Sequence, residues 1–271
     1  MESAGTDRQD RDLLAAIEKY LAGEGHFGID PQVLLILDNV DSSKSEIASI
    51  EKLMDEMIAV RLRKLAGAVF RGMTGHGKPK TFNDVIASLG MRPAKNLIVA
   101  IALFSRLGRE HKRLETGSFA ASLFAKIIAE QMGFERSAVE KAELGGLFLN
   151  LGKVVIAMYQ SASKIDIDAA FVQRHQCYLA AKIIARFNLP EFLEEMIREG
   201  RLVLQKRSFS ANGIVYLAQA LVDKATDEFG VIEMKAPMPD SRDNLDVTLG
   251  SIISEYFIQI GLGQFVKIIP C

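Results

Sequence analysis

Apolar side chains recur every three or four residues along most of the chain, which is the spacing of one face of an α-helix. Between residues 47 and 58, for example, they stand at Ile47, Ile50, Met54 and Ile58. No segment alternates apolar and polar residues as a half-buried strand would. The pattern predicts an all-α chain.

Start and stop signals set the predicted helices of the first half. The first ten residues are polar and predicted to be disordered, and a short helix is predicted from Leu13 to Ala22, ended by Gly23. Pro31 opens a helix to Leu37. Further helices are predicted over 43–69, as one helix or two in tandem, over 81–89, and over 93–107, the last with burial on several sides.

The second half begins after a charged stretch, residues 108–117, which is the best candidate for an internal boundary. After this stretch the same periodicity continues, with capping-box spacing at Ser137 and Glu140. The predicted helices cover 118–132, 137–159, 166–188, a segment from Pro190, 211–228 and 245–260, with an irregular segment over 231–244.

Composition and charge narrow the class of protein. Lys and Arg total 33 against 34 for Asp and Glu, so the formal net charge of −1 gives no general attraction to nucleic acid or to an acidic membrane. The longest clean apolar run, 97–104, is far shorter than the ~20 residues of a membrane span. The chain has 2 cysteines and a polar N-terminus. We therefore expect a soluble protein of the reducing cytoplasm.

Four segments, in order along the chain, resemble passages of the HDOD domain family (HD-related output domain). Residues 81–104, TFNDVIASLGMRPAKNLIVAIALF, resemble its "Ai..LG...l..l" passage, and 142–153, AELGGLFLNLGK, resemble its "af.aGLLHdiGk" helix. Residues 185–190, ARFNLP, are similar to "..W.LP", and 214–220, IVYLAQA, to "iv.lAd.la". The resemblance covers about residues 25–230.

The resemblance implies a compact multi-helix HD-like bundle with a helical N-terminal half. The domain is predicted over 25–230, with an N-terminal half over 25–108 and an HD-like half over 117–230. Residues 1–24 are a polar segment with a short helix. Residues 231–271 are an irregular segment followed by a helix.

The family is a degenerate relative of the HD metal-dependent phosphohydrolases, which hold a divalent ion with His and Asp side chains. The His-Asp pair of those enzymes corresponds to Leu149-Asn150 here, and the segment after Gly117, where another His is expected, has none. A later His falls near Gln176, beside His175. Because one imidazole cannot build a site that needs three or four ligands, we expect no metal, no cofactor and no catalytic residue.

Individual residues leave alternatives open. Leu149 is interpreted as filling the space of a lost ligand, and Asn150 either as a buried amide bonded to a neighbouring helix or as a contact to a small ligand. His175 is either a partly exposed helix residue or a ligand or proton switch. Cys177 is interpreted as an inert core thiol.

The sequence therefore favours a non-catalytic module of bacterial signal transduction that binds a signalling protein or a small ligand, without nucleic acid or membrane. The alternatives are a metal-dependent phosphohydrolase with a shifted ligand set and a self-associating helical module, with a homodimer left open. We expect the cleft that the lost metal site leaves, here called the remnant cleft, to be lined by Gly145, Gly146, Asn150, Lys153 and His175.

Overall fold

The computed structural model describes residues 2–23, 27, 29–39, 44–56, 58–62, 81–205 and 210–226. Most of these residues are helical and none of them lies in a strand, so the all-α prediction is confirmed. The helices are α1 (Glu2–Ala22), α2 (Pro31–Asp38), α3 (Lys44–Leu53), α4 (Phe82–Leu89), α5 (Met91–Ser105), α6 (Lys112–Gln131), α7 (Arg136–Phe148), α8 (Leu151–Ser163), α9 (Ala169–Arg186), α10 (Phe192–Gln205) and α11 (Ala211–Thr226).

Local capping explains why some predicted bounds agree with the structure. At α4, Thr81 Oγ1 accepts a hydrogen bond from the Asp84 amide at 3.2 Å, and Asp84 Oδ2 accepts one from the Thr81 amide at 2.9 Å. This reciprocal pair satisfies two amides that the first turn leaves free. The helix ends at Gly90, whose φ of +84° favours glycine. The prediction of a helix over 81–89 is confirmed.

Other bounds differ from the prediction. The helix α1 begins at Glu2, so the prediction that the first ten residues are disordered is wrong. The helix α6 begins at Lys112 within the charged stretch, where Glu115 and Gly117 are buried, so this part of the stretch is a packed helix and not a boundary. The helix predicted over 137–159 is divided by a turn at Leu149 and Asn150.

Some predictions fall on other parts of the chain. The helical segment after residue 43 is interrupted after Leu53 and is helical again over 58–62, as two helices in tandem would be. The predictions for 63–80, 231–244 and 245–260 lie outside the described residues.

The described chain packs into two compact units. The first consists of the described residues within Met1–Ala66, Lys78–Lys112 and Leu151–Pro190, and the second of those within Gly67–Gly77, Arg113–Asn150 and Glu191–Cys271. The units are not the contiguous halves expected from the sequence, since residues 151–190 group with the first unit. The predicted domain bounds stay a prediction.

In the first unit, α8 packs between α5 and α9, and α1 lies against α8 and α9. Residues 98–104 of α5 are all buried, as the prediction of burial on several sides requires. A buried ammonium group joins three elements of this unit: Lys95 Nζ lies 2.5 Å from Asp38 Oδ1 at the end of α2 and donates to the Asn188 carbonyl at 3.1 Å.

In the second unit, α7 packs against α10 and α11, and α10 packs against α11. Side chains from α6 complete a core that includes Phe124, Ala142, Met196 and Val215. Burial of apolar side chains such as these is the main source of stability for an all-helical unit. Of the segment that resembles the family's HD helix, Ala142 belongs to this core and Leu149 packs against it.

One described segment, Arg136–Ser163, is long and apolar enough to cross a membrane by length and composition alone, and 72% of its apolar window is buried inside the protein. Helices of protein cores pass the same test. The segment is therefore weak evidence for a membrane span.

Candidate functional site

The two adjacent glycines of α7 lie at helix contacts within the second unit. A Cβ atom on Gly146 would stand 2.6 Å from the α-carbon of Ser122, and one on Gly145 would stand 2.9 Å from Val215 Cγ2. Ser122 Oγ also donates to the Glu143 carbonyl at 2.8 Å, which ties α6 to α7. Close helix packing therefore accounts for both glycines, and their predicted place in the remnant cleft stays a prediction.

The turn that ends α7 carries Leu149 and Asn150, the two residues that the sequence resemblance aligns with the His-Asp pair of HD enzymes. Leu149 is partly buried and packs against the core of the second unit. Asn150 is buried, and its Nδ2 donates to Gln219 Oε1 on α11 at 2.9 Å. The interpretation of Asn150 as a buried amide bonded to a neighbouring helix is confirmed. A contact to a ligand stays a prediction.

A chain of hydrogen bonds continues from this amide along α11. Gln219 Nε2 donates to Asp223 Oδ1 at 2.7 Å, one helical turn further on. We call Asn150, Gln219 and Asp223 the amide cluster. Its two amides are neutral, and its single carboxylate already accepts a hydrogen bond from one of them.

Sequence reasoning missed Gln219 as a member of this site. A signal was present, because the family passage "iv.lAd.la" has an acidic residue where IVYLAQA has Gln219. The structure brings this position against Asn150, although 69 residues separate the two in the chain. Two positions that are acidic in the family passages are therefore both amides here, and they face each other.

Ser118 adds a buried hydroxyl to the second unit. Its side chain is completely buried in α6, and its Oγ has no hydrogen-bond partner among the described atoms. The neighbouring Gly117 approaches α11, since a Cβ atom there would stand 3.6 Å from Val222 Cγ1. Ser118 thus lies in the segment where HD enzymes are expected to have a His, and it contributes no metal ligand of that kind.

A lysine and a glutamate of the second unit form an ion pair between α6 and α7. Lys126 Nζ lies 3.3 Å from Glu143 Oε2. Burial raises the pKa of the Glu143 carboxyl, and the nearby Lys126 ammonium opposes that rise.

The donors of the amide cluster do not fit the kind of divalent ion that HD enzymes hold. Such an ion takes imidazole and carboxylate ligands, and the cluster offers one carboxylate and two neutral amides. Within the described ranges, no three His, Cys, Asp or Glu side chains come together as a metal site would require.

The other two residues predicted for the remnant cleft belong to the first unit. Lys153 is exposed on α8. His175 is a partly exposed residue of α9, as one of the two interpretations held, and its ring lies 4.4 Å from that of Phe171. Its Nε2 stands 3.2 Å from Asp10 Oδ2. A ligand-binding role of both residues stays a prediction.

The interpretation of Cys177 as a core thiol is wrong, because its side chain is exposed. In this part of α9 the buried positions are Leu179 and Ala180. The short apolar side chain of cysteine gave no indication of which way it faces.

Comparison with known proteins gives a family and a structural likeness. The model of the HDOD domain family matches residues 30–201. The solved structure of an HDOD domain protein with unknown function from Geobacter sulfurreducens is similar at 19% sequence identity, over 89% of this chain and 86% of that chain, with a TM-score of 0.49. No curated protein matches.

Proposed function

The chain belongs to the HDOD domain family, and from that premise we propose that it is a non-catalytic module of bacterial signal transduction. In this proposal it works in the cytoplasm, holds no metal ion, and recognises a signalling protein or a small ligand. It does not hydrolyse a phosphoester.

The observation that carries the proposal is the hydrogen bond between Asn150 and Gln219. An ion that activates water for hydrolysis needs anionic or imidazole ligands to hold it. Here the Asn150 amide donates to the neutral side chain of Gln219, and the Gln219 amide donates to Asp223. A cluster whose hydrogen bonds form without a cation supports the proposal that the protein has an HD-like fold but does not hydrolyse phosphoesters.

Accessibility supports a division of roles among the predicted residues. Gly145, Gly146 and Asn150 are buried, whereas Lys153 is exposed and His175 is partly exposed. A partner can reach the side chain of Lys153 directly and that of His175 in part, since the His175 Nε2 already faces Asp10 at 3.2 Å. We therefore propose that these two make contact with a partner and that the buried three maintain the scaffold.

Metal analysis of the purified full chain tests the first half of the proposal. We expect iron, manganese and zinc well below one ion per chain, and no hydrolysis of bis-p-nitrophenyl phosphate above that of Asp223→Asn when each ion is added. A stoichiometric ion that is lost in Asp223→Asn or His175→Ala, together with metal-dependent turnover, would overturn the proposal.

Titration of one purified signalling partner from the source bacterium tests the second half. We expect Lys153→Glu to weaken its binding at least tenfold, which corresponds to about 1.4 kcal/mol. Lys52→Glu is the matched control, because Lys52 is also an exposed lysine of the first unit. Equal weakening by both substitutions would contradict a contact at Lys153, and a concentration-dependent mass of the chain alone would favour self-association.

A further inference from the structure

One side of α9 in the first unit carries a row of polar residues that contact α1. Arg174, Tyr178, Lys182 and Arg186 follow one another at intervals of four residues, which places them along one side of the helix. We call these four residues the basic stripe. Each of them contacts α1 or the residue that directly follows it.

The acidic residues of α1 meet the first three members of the stripe. Arg174 donates from Nε to Asp10 Oδ2 at 2.8 Å and from Nη2 to Asp10 Oδ1 at 3.2 Å. Glu18 accepts a hydrogen bond from the Tyr178 hydroxyl and lies 3.3 Å from Lys182 Nζ. The order of the contacts is the same in both helices, so α1 and α9 run in the same direction.

Contacts at the end of α1 complete the attachment. Arg186 donates to the carbonyl oxygens of Leu21 and Gly23. Its guanidinium also lies 4.9 Å from the ring centroid of Phe27. The carbonyl groups at a helix C-terminus carry partial negative charge, so an arginine there is a favourable partner.

The buried apolar residues described for α1 lie in its second half. Ile17 and Leu21 are buried, and Tyr20 meets Tyr159 edge to face with 5.7 Å between ring centroids. The Glu18–Lys182 pair is solvated, with 36% and 53% of the two side chains exposed, whereas in the Asp10–Arg174 pair 44% of the Arg174 side chain but 16% of the Asp10 side chain is exposed. Exposed ion pairs contribute little to stability, so α1 has the features of an element that opens locally before the rest of its unit.

The family match begins at residue 30, after the end of α1. We propose that α1 is a releasable strap and that the basic stripe beneath it is a docking surface for an acidic amphipathic helix of a partner protein. The helix α1 occupies that surface within the chain and thereby competes with the partner.

The chemistry of α1 defines what the surface recognises. The occupant needs two carboxylates eight residues apart, as Asp10 and Glu18 are, and apolar residues between and after them, as Ile17 and Leu21 are. Arginine recognises a carboxylate through two parallel hydrogen bonds, which gives the first contact its geometric selectivity. A neutral or basic helix would leave the cations of the stripe without these partners.

The test uses the full chain with Asp10→Lys and Glu18→Lys, and a labelled peptide with the native sequence of residues 2–22 as the probe. We expect amide exchange over 8–22 to become roughly tenfold faster than in the unmodified chain, because attraction is replaced by repulsion at two contacts. We expect the peptide to bind the double variant at least tenfold more tightly than the unmodified chain, since the strap no longer competes.

Two controls separate release of the strap from recognition by the stripe. Asp12→Lys reverses an exposed charge on the same helix and should change neither measurement. Arg174→Glu with Lys182→Glu should speed the exchange of α1 but give no gain in peptide binding. Unchanged exchange in the Asp10 and Glu18 variant, or equal peptide binding to the two double variants, would overturn the proposal.

Discussion

At the scale of single residues, two neutral amides face each other where Asn150 meets Gln219, with 2.9 Å between Nδ2 and Oε1. Two carboxylates at this separation would repel each other and would need a cation or a shared proton between them. Amides avoid the repulsion because each side chain offers both a donor and an acceptor. We therefore expect the contact between Asn150 and Gln219 to be stable without a metal ion.

A charged replacement of Gln219 tests this balance. In Gln219→Glu the new carboxylate still accepts from Asn150, but it can no longer donate to Asp223. We expect the free energy of unfolding to fall by about 1–3 kcal/mol at neutral pH, because a hydrogen bond is lost and two carboxylates are brought together. Since repulsion between carboxylates favours the protonated form of one of them, the loss should shrink as the pH is lowered.

Urea unfolding at neutral and at mildly acidic pH measures both parts of this prediction. Gln9→Glu, a change of the same kind at an exposed position of α1, is the control and should have little effect at either pH. A loss in Gln219→Glu that stays the same at both values would show that the lost hydrogen bond, and not charge repulsion, is responsible.

Two glycine-to-alanine changes give a second prediction at this scale, because one should lower the free energy of unfolding and the other should raise it. A methyl group in Gly152→Ala would overlap the backbone of Gln176, to whose α-carbon its distance would be 2.7 Å. We expect the free energy of unfolding of Gly152→Ala to fall by about 1–3 kcal/mol because of overpacking. In Gly117→Ala the methyl group meets Val222 at an ordinary 3.6 Å, so lower backbone entropy of the unfolded chain should give a gain of about 0.5–1 kcal/mol. Urea unfolding measures both free energies. A lower free energy of unfolding in both variants would contradict this account of Gly117.

At the scale of elements, the sequence predicted helix bounds well where the signal is local. The bounds of α4 follow from Thr81, Asp84 and Gly90, which lie within ten residues of one another. The start of α6 could not be found in this way, because Glu115 and Ser118 look like surface residues in the sequence but are buried in the folded chain. The beginning of α1 was missed for a related reason, since Asp10 pairs with residues more than 160 positions away.

The attachment of α1 should depend on pH in a defined direction. The hydrogen bond from Arg174 holds the pKa of Asp10 below its ordinary value of 3.8, and the hydrogen bond from Tyr178 lowers that of Glu18 from 4.5. A carboxyl whose pKa is lower in the folded state stabilises the fold above its ordinary value, and the contribution is lost as the pH falls through the lowered value. Acid should therefore loosen α1.

Amide exchange over 8–22 in the full chain, corrected for the intrinsic effect of pH, measures this dependence. Near neutral pH we expect Asp10→Asn to exchange up to about fivefold faster than the unmodified chain, because the contacts of Asp10 to Arg174 and His175 are weakened. The ratio should approach unity once the pH is well below 3.8. Asp12→Asn, on the same helix, should give a ratio near unity throughout, and a constant ratio for Asp10→Asn would contradict the linkage.

At the scale of the whole molecule, the helical class and the family could be predicted, but the grouping of the helices could not. Hydrophobic spacing reports which face of a helix is buried and says nothing about which helix covers it. Asn150 and Gln219 come together through packing within the second unit, across 69 residues of chain. The turn at Leu149 and Asn150 was hidden for the same reason, because the apolar pattern continues through it.

The two compact units lead to a prediction about cooperativity. Gly146 lies where α6 meets α7 in the second unit, and Gly152 lies where α8 meets α9 in the first. Each accepts another helix so closely that an added methyl group would meet backbone atoms, so Gly146→Ala and Gly152→Ala make the same kind of change in different units. Overpacking of a close helix interface destabilises the elements that share it.

We expect amide exchange at neutral pH to rise mainly in α6, α7, α10 and α11 for Gly146→Ala, and mainly in α5, α8 and α9 for Gly152→Ala. Contiguous sets of elements that open together are the usual pattern when packing is concentrated within units. Gly133→Ala is a useful comparison, because that glycine has open space around it and its φ of +72° makes the strain local. If either of the first two variants raised exchange evenly across all these helices, the two units would be one cooperative body, and the division between them would have no energetic counterpart.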